Sequence, residues 1–252
     1  MIEVHVLASG SDGNCVVVRT PEGSVMIDAG LNGKRLTELM GRVGVDSEEI
    51  SAIILSHEHV DHVRGAGVLS RRWKVPVMGN MNTLANATIG KVEYGCFRTS
   101  ELFSIGGIDI MPLPTSHDAM EPNAFLLSQG DNRVLIATDT GIMTAPVEAA
   151  LKDVDVAVIE SNYDERMLQN GPYPVYLKRR ISGESGHLSN IDCGISLRNT
   201  MGNGRKIFLA HLSKNNNTPD AARDTVARIT DIKRMNIDCL EFPGDFRTLK
   251  SL

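Results

Sequence analysis

The sequence predicts an α/β or α+β domain, and three observations carry that reading. Short continuous apolar runs of strand-like composition recur along the chain, among them Ala52-Ile-Ile-Leu55, Val154-Asp-Val-Ala-Val-Ile159 and Lys206-Ile-Phe-Leu-Ala210. Segments with helical spacing lie between them, as in Leu36, Leu39, Met40 and Val43. Several apolar runs end by delivering a polar residue into the next loop, which is how open sheets assemble sites at strand ends.

Taken in order, strands are expected at about 2–7, 15–20 and 24–27, then a helix over 34–43. A strand at 52–55, a helix near 63–72 and a short strand at 75–79 follow. Strands near 102–105, 108–112, 123–127 and 133–138 lead to a helix at 146–152. After a strand at 154–159, helices around 190–200 and 219–232 flank a strand at 206–210. The two halves share a plan. At 252 residues with 42% hydrophobic content, the chain is expected to form one domain over 1–252, without linkers or low-complexity stretches.

Six of the seven histidines fall into four short strings. They are His57-Glu-His59-Val-Asp61-His62, Thr115-Ser-His117-Asp118, Gly186-His187-Leu-Ser189 and Ala210-His211-Leu-Ser213. Three imidazoles and an aspartate, with Glu58 between the first two, are too dense within six residues for neutral core histidines, so metal binding is the first hypothesis. His57 and His59, two apart in an extended stretch, point the same way. Asp61 and His62 follow as the chain turns and can face a second position. Zinc-like ions take about four ligands, and paired ions in hydrolytic sites lie roughly 3.5–4 Å apart. The string therefore reads as half of a two-metal cradle. The remaining donors are expected after other strands: His117 after Ile110 to Pro114, Asp139 after Arg133 to Thr138, and His211 after Lys206 to Ala210. His5 matches no motif and sits in the alternating run Ile2-Glu-Val-His-Val-Leu7.

The order Asp28-Ala-Gly30, His57-Glu-His59-Val-Asp61-His62, His117, Asp139-Thr-Gly141, His211 resembles the metallo-β-lactamase superfamily over essentially the whole chain. Ser9-Gly-Ser-Asp-Gly-Asn14, His187-Leu-Ser-Asn190 and His211-Leu-Ser-Lys-Asn-Asn216 resemble its YycJ/WalJ-like branch of bacterial nucleases. The resemblance implies a four-layer αββα sandwich of two mixed sheets with helices outside them. It implies that His57, His59 and His117 hold one metal, that Asp61, His62 and His211 hold the other, and that Asp139 bridges them. Asp28 takes a position that supports ligand histidines, or is a turn residue at a strand end.

Charge counting indicates the chemistry. Two divalent cations bring four positive charges, and Asp61, Asp139 and a bridging hydroxide remove three, leaving a centre suited to an anionic substrate. The expected reaction is hydrolysis of a phosphodiester, with hydroxide between the ions as nucleophile. Glu160 with His187 resembles the acid and histidine pair of tRNase Z, and His187 is read as proton donor or phosphate ligand. Asp61, His187 and Glu160 form the expected catalytic set. The donors are nitrogen and oxygen only, so Mn2+ and Zn2+ are both chemically reasonable.

Spacing narrows the choice of enzyme. Only 22 positions separate His117 from Asp139, too few for the substrate-gripping arm of tRNase Z. The 71 residues between Asp139 and His211 leave no room for a β-CASP domain. A net charge of −5 argues against broad polyanion binding, although basic clusters occur at Arg71-Arg72-Trp73-Lys74 and at Lys178-Arg179-Arg180 after Tyr173 and Tyr176. Ser11, Asn14, Lys178, Arg179, Arg180 and Ser189 are the substrate-binding candidates. The Ser9–Asn14 loop lacks the lysine and spacing of a nucleotide P-loop, so no nucleotide cofactor is expected.

The leading reading is a DNA phosphodiesterase, a 5′-to-3′ exonuclease, with DNA favoured over RNA as partner. The alternatives are a small-molecule or cyclic-nucleotide phosphodiesterase, an RNA-processing nuclease, or a metal-stabilised nucleic-acid-binding or regulatory protein. No basic region precedes an apolar signal core and no run reaches membrane-spanning length, so a cytoplasmic protein without membrane contact is expected. Cys15, Cys96, Cys193 and Cys239 are scattered, as reduced thiols would be.

Overall fold

The computed structural model describes residues 1–200, 204–242 and 244–251. The chain opens with β1 (Glu3–Ala8), β2 (Cys15–Thr20), β3 (Gly23–Ile27), α1 (Gly33–Arg42) and β4 (Ile50–Ile54). Next come α2 (Val60–Val63), α3 (Ala66–Trp73), β5 (Val77–Gly79), α4 (Met81–Asn86) and β6 (Tyr94–Cys96). The second half begins with β7 (Phe103–Ile105), β8 (Ile108–Pro114), β9 (Asn123–Gln129) and β10 (Asn132–Ala137). It continues through α5 (Ala145–Leu151), β11 (Val156–Glu160), α6 (Glu165–Asn170), α7 (Val175–Ile181) and α8 (Asn190–Asn199). It ends with β12 (Lys206–Ala210), α9 (Pro219–Thr230), β13 (Ile237–Asp238) and β14 (Arg247–Lys250).

Two mixed seven-stranded sheets result, in the orders β14-β1-β2-β3-β4-β5-β6 and β13-β12-β11-β10-β9-β8-β7. In the first, β3 to β6 run parallel; in the second, β10 to β13 do. The period of two along each strand divides the apolar residues between two faces. Ile54 and Val158 face the layer between the sheets, with Phe125 and Phe208, while Ile53 and Ile159 face outward. The outward set of the first sheet packs against Leu36, Leu39 and Met40 of α1 and Leu69 of α3. That of the second packs against Val147 of α5, Leu197 of α8 and Val226 of α9. The four-layer α/β sandwich is therefore present. Phe208 is fully buried at its centre, and truncation to Ala there costs about 3–5 kcal/mol.

Two differences from the expected elements have local causes. The helix anticipated near 63–72 is split into α2 and α3, because the Gly65 N–H leaves the helix to donate to the Ala29 carbonyl at 2.7 Å. A Cβ at Gly65 would sit 2.4 Å from the Leu31 carbonyl oxygen, so this close crossing needs glycine. The elements α4, β6, α6, α7, β13 and β14 went unanticipated, all of them seven residues or fewer. Strand β14 pairs with β1 along Glu3↔Lys250 to Val6↔Arg247 and buries only Leu249 in the intersheet layer.

Candidate metal centre

Five parallel strands carry the site at their carboxyl ends: β3 leads to Asp28, β4 to His57, β10 to Asp139, β11 ends in Glu160, and β12 leads to His211. His117 follows the antiparallel β8, and Asp61 and His62 lie on the single turn of α2. Asp28, Asp139 and His211 adopt φ of 58°, 54° and 56°. Side chains rarely hold this left-handed conformation, and it costs on the order of 1–3 kcal/mol each unless the surroundings enforce it. Asp139 Oδ1 and His211 Nδ1 come within 3.5 Å of each other, while Asp28 faces His62 and Ser56.

Four overlapping groups bring donor atoms within 4.8 Å of one another: His57, His59 and His117; Asp61, His62 and His211; His57, His62 and Asp139; and Asp139, Glu160, His187 and His211. Asp139 stands between the first two groups. Its Oδ2 lies 3.2 Å from His62 Nε2, and its Oδ1 lies 3.8 Å from His117 Nε2. Among the described residues, His57 Nε2, His211 Nε2 and Asp139 Oδ2 are buried without a hydrogen-bond partner. Unpaired buried donors and acceptors are costly, and each of these atoms belongs to a residue of one of the imidazole and carboxylate groups, a chemistry that fits divalent cations.

The supporting contacts fix which ring nitrogens are free. His117 Nδ1 donates to the Gly186 carbonyl at 3.0 Å, leaving Nε2 toward Asp139. Asp28 Oδ2 accepts from His62 Nδ1 and from Ser56 Oγ, each at 2.7 Å, while its Oδ1 accepts from the Ser56 N–H at 2.8 Å. With its own proton committed to Asp28, Ser56 Oγ accepts from His57 Nδ1 at 3.0 Å. Glu160 Oε1 accepts from His187 Nδ1 at 2.7 Å and from His211 Nδ1 at 2.9 Å. Its Oε2 accepts from the Thr140 N–H at 2.7 Å and the Leu188 N–H at 3.4 Å. Both oxygens being so engaged, Glu160 supports the two histidines and is not free to be a ligand.

Electrostatics follow from this geometry. Burial drives the His57 pKa well down and lowers that of His117. Burial also opposes charge on His62, but the carboxylates of Asp28 and Asp139 overcome it and hold the pKa well above the ordinary value. Against the same penalty, Asp139, Asp61 and Glu160 push His211 up to about 10. Asp139 is held well below the usual carboxylate range by His211 and His62, although burial opposes this. The cluster therefore carries protons that a divalent cation would displace, so cation binding releases protons.

The substrate-binding candidates separate. Ser11 is exposed on the turn of the Ser9–Asn14 loop. Arg179 and Arg180 are exposed on α7, Lys178 is half-buried there, and Arg180 Nε reaches Asp118 Oδ2 at 2.8 Å, beside His117. Two need correction. Asn14 is buried, its Nδ2 lying 3.0 Å from His62 Nε2 and 3.4 Å from Asp61 Oδ2, so it supports the cluster instead of meeting substrate. Ser189 is fully buried, and its hydroxyl is spent on Asp192 as the N-cap of α8. Sequence reading also missed Ser56 and Asn162, whose Nδ2 donates to the His211 carbonyl at 2.7 Å. Only their positions beside ligand strings could have drawn notice.

The model of the metallo-β-lactamase superfamily matches residues 8–164. An exodeoxyribonuclease YycJ of Bacillus anthracis is 34% identical over 94% of this chain and 92% of its own. An exodeoxyribonuclease WalJ of Streptococcus pneumoniae serotype 2 is 36% identical over 88% of this chain and 85% of its own. Among solved structures, the metallo-β-lactamase fold protein YhfI from Bacillus subtilis superposes with a TM-score of 0.75 at 17% identity, covering 98% of each chain.

Proposed function

The chain belongs to the metallo-β-lactamase superfamily, in its YycJ/WalJ-like branch, and is a metal-dependent hydrolase of the nuclease kind; from that premise we propose a two-metal phosphodiesterase that degrades DNA from the 5′ end. One observation carries the two-metal reading: Asp139 lies between two triads, His57, His59 and His117 on one side and Asp61, His62 and His211 on the other, with Oδ2 3.2 Å from His62 Nε2 and Oδ1 3.8 Å from His117 Nε2 and 3.5 Å from His211 Nδ1. In this reading His57, His59 and His117 would hold one divalent ion and Asp61, His62 and His211 the other, Mn2+ or Zn2+, with Asp139 as a donor shared between the two groups. Such ions supply Lewis acidity toward a phosphoryl oxygen and an activated water.

The protein's own residues supply the rest. The Nδ1 of His187 is occupied by Glu160, so its Nε2 is the atom that delivers a proton to the departing alkoxide. Burial works against protonated His187, but Glu160 outweighs it and raises the pKa, as an acid at neutral pH requires. Arg179 and Arg180 are exposed on α7, with Arg180 paired to Asp118 next to His117, and are our candidates for meeting the phosphate backbone. DNA as substrate rests on the likeness to the exodeoxyribonucleases YycJ and WalJ. Among the described residues no helix is long and apolar enough to cross a membrane, and Cys15, Cys193 and Cys239 are buried free thiols; on the thiols we include a cytoplasmic location in the proposal.

Metal-reconstituted protein acting on single- and double-stranded DNA and RNA, labelled at one end, tests this. The expected result is immediate release of a 5′ label as a very short product from DNA. Shortening from the 3′ end, or hydrolysis of a chromogenic phosphodiester with DNA left intact, would refute it.

A further inference from the structure

A cavity of about 500 Å³ lies beside the metal centre, and nothing in the chemistry above uses it. Two of its walls are loops that contact the centre, and β1, α1 and the segment before β14 contribute others. Ser9, Asp12 and Gly13 line it, while Ser9 Oγ accepts from the His211 N–H at 2.7 Å and the next residue, Asn14, touches Asp61 and His62. Leu212, Ser213 and Lys214 line it from the other side and directly follow His211. The cavity thus touches Leu212, which directly follows His211, and on the other loop Gly13, whose neighbour Asn14 contacts Asp61 and His62.

Its chemistry selects a class of occupant. Leu7, Leu31, Leu212 and Leu240 form an apolar wall, and Phe242 lies at the edge with 64% of its surface exposed. An exposed aromatic ring over an apolar slot is a stacking platform. The charges balance: Arg35 and Lys214 are matched by Asp12 and Glu241. Lys214 pairs with Asp12, and Arg35 Nη1 lies 3.3 Å from Glu38 Oε2. A phosphate would meet no net positive charge here, whereas the metal centre attracts one. A neutral flat ring with a polar edge suits the space, which falls in the range of about 300–1,000 Å³ that small-molecule sites occupy.

We infer that this cavity receives a nucleobase of the DNA strand, adjacent to the phosphate held at the metal centre. This rests on the DNA-hydrolase reading and adds a subsite to it. Phe242 is then a positioning residue that acts through the base and leaves the reacting atoms untouched. Because base stacking on aromatics tolerates any base, the subsite fixes the strand without selecting sequence.

The test uses the metal-loaded full chain and oligodeoxynucleotides carrying a single abasic residue at successive positions from the labelled end. Wild type, Phe242→Ala and Phe242→Trp are compared by KM and kcat, with bis(p-nitrophenyl) phosphate as a second substrate for wild type. In wild type, one position is expected to raise KM about tenfold when its base is removed, with kcat little changed. Phe242→Ala should raise KM on intact DNA by a similar factor and abolish the further abasic penalty, since the two changes remove one interaction. Phe242→Trp should restore both. A flat abasic response in wild type, or a penalty as large in Phe242→Ala as in wild type, overturns the subsite and leaves the nuclease reading standing. Intact DNA alongside hydrolysed bis(p-nitrophenyl) phosphate overturns both.

Discussion

Glu160→Gln keeps the volume of a fully buried side chain and removes the charge that joins His187 to His211. The carboxylate accepts four hydrogen bonds, two from imidazole N–H groups and two from the backbone. An amide offers one accepting oxygen and one NH2 donor. Whichever way it turns, its NH2 faces either the two histidines or the Thr140 and Leu188 N–H groups. Two charge-assisted bonds at about 1.5 kcal/mol each put the loss near 3 kcal/mol, read as denaturant stability of the metal-free protein. Two functional effects follow. Without its Nδ1 partner, His211 no longer holds Nε2 in place, and a loss of such support typically costs about 10–100-fold in metal affinity. At saturating metal, the pH profile of kcat/KM reports His187. Its pKa is raised by Glu160 against the effect of burial, and the acid acts while protonated. Activity is therefore lost as pH rises through that pKa, and removing the charge moves this alkaline limb to lower pH. An alkaline limb and stability both equal to wild type in Glu160→Gln would refute the role of the Glu160 link.

Asp28→Asn preserves a residue type that tolerates the φ of 58°, yet removes the charge bound to His62 Nδ1 and Ser56; chelator competition should show metal binding weakened about 10–100-fold. Gly30→Ala would place Cβ 1.7 Å from the Asp61 carbonyl oxygen and 2.5 Å from the Asn14 N, so α2 must shift and metal uptake and thermal stability should both fall. His5 tests the fold independently of the site. Burial lowers its pKa from the ordinary 6.5, so the unfolded chain takes up a proton first as pH falls below that value. Wild type should lose stability relative to His5→Gln as pH falls through 6.5 toward the depressed folded value, and parallel stability curves would contradict this.

Much of the fold was legible because long apolar strands announce themselves. The run Lys206–Ala210 is read from sequence and found with the same bounds, and the helix at 34–43 differs from α1 by one residue at each end. The short edge elements were not legible. β14 contributes one buried Leu and is a strand only because β1 offers it a ladder. The candidate site was legible for a related reason: the candidate donors His57, Asp139 and His211 and the supporting Asp28 stand at the ends of strands that the pattern locates, so their places could be expected from the sequence. What escaped was the fate of polar side chains near those ends. Ser189 sits in the His187 motif and Asn14 in the Ser9–Asn14 loop, and only burial and hydrogen bonding show one spent on a helix cap and the other on His62 and Asp61. Conversely, Ser56 lies just before the His57–His62 string as an unremarkable serine, and its role depends on Asp28, which is 28 positions away.

Metal content bears most directly on the two-ion centre. Protein stripped by chelator, dialysed against Mn2+ or Zn2+ and measured by elemental analysis should hold two ions per chain. His211→Ala should retain one, because His57, His59 and His117 remain intact. Saturation of the wild-type chain at a single ion would contradict the account.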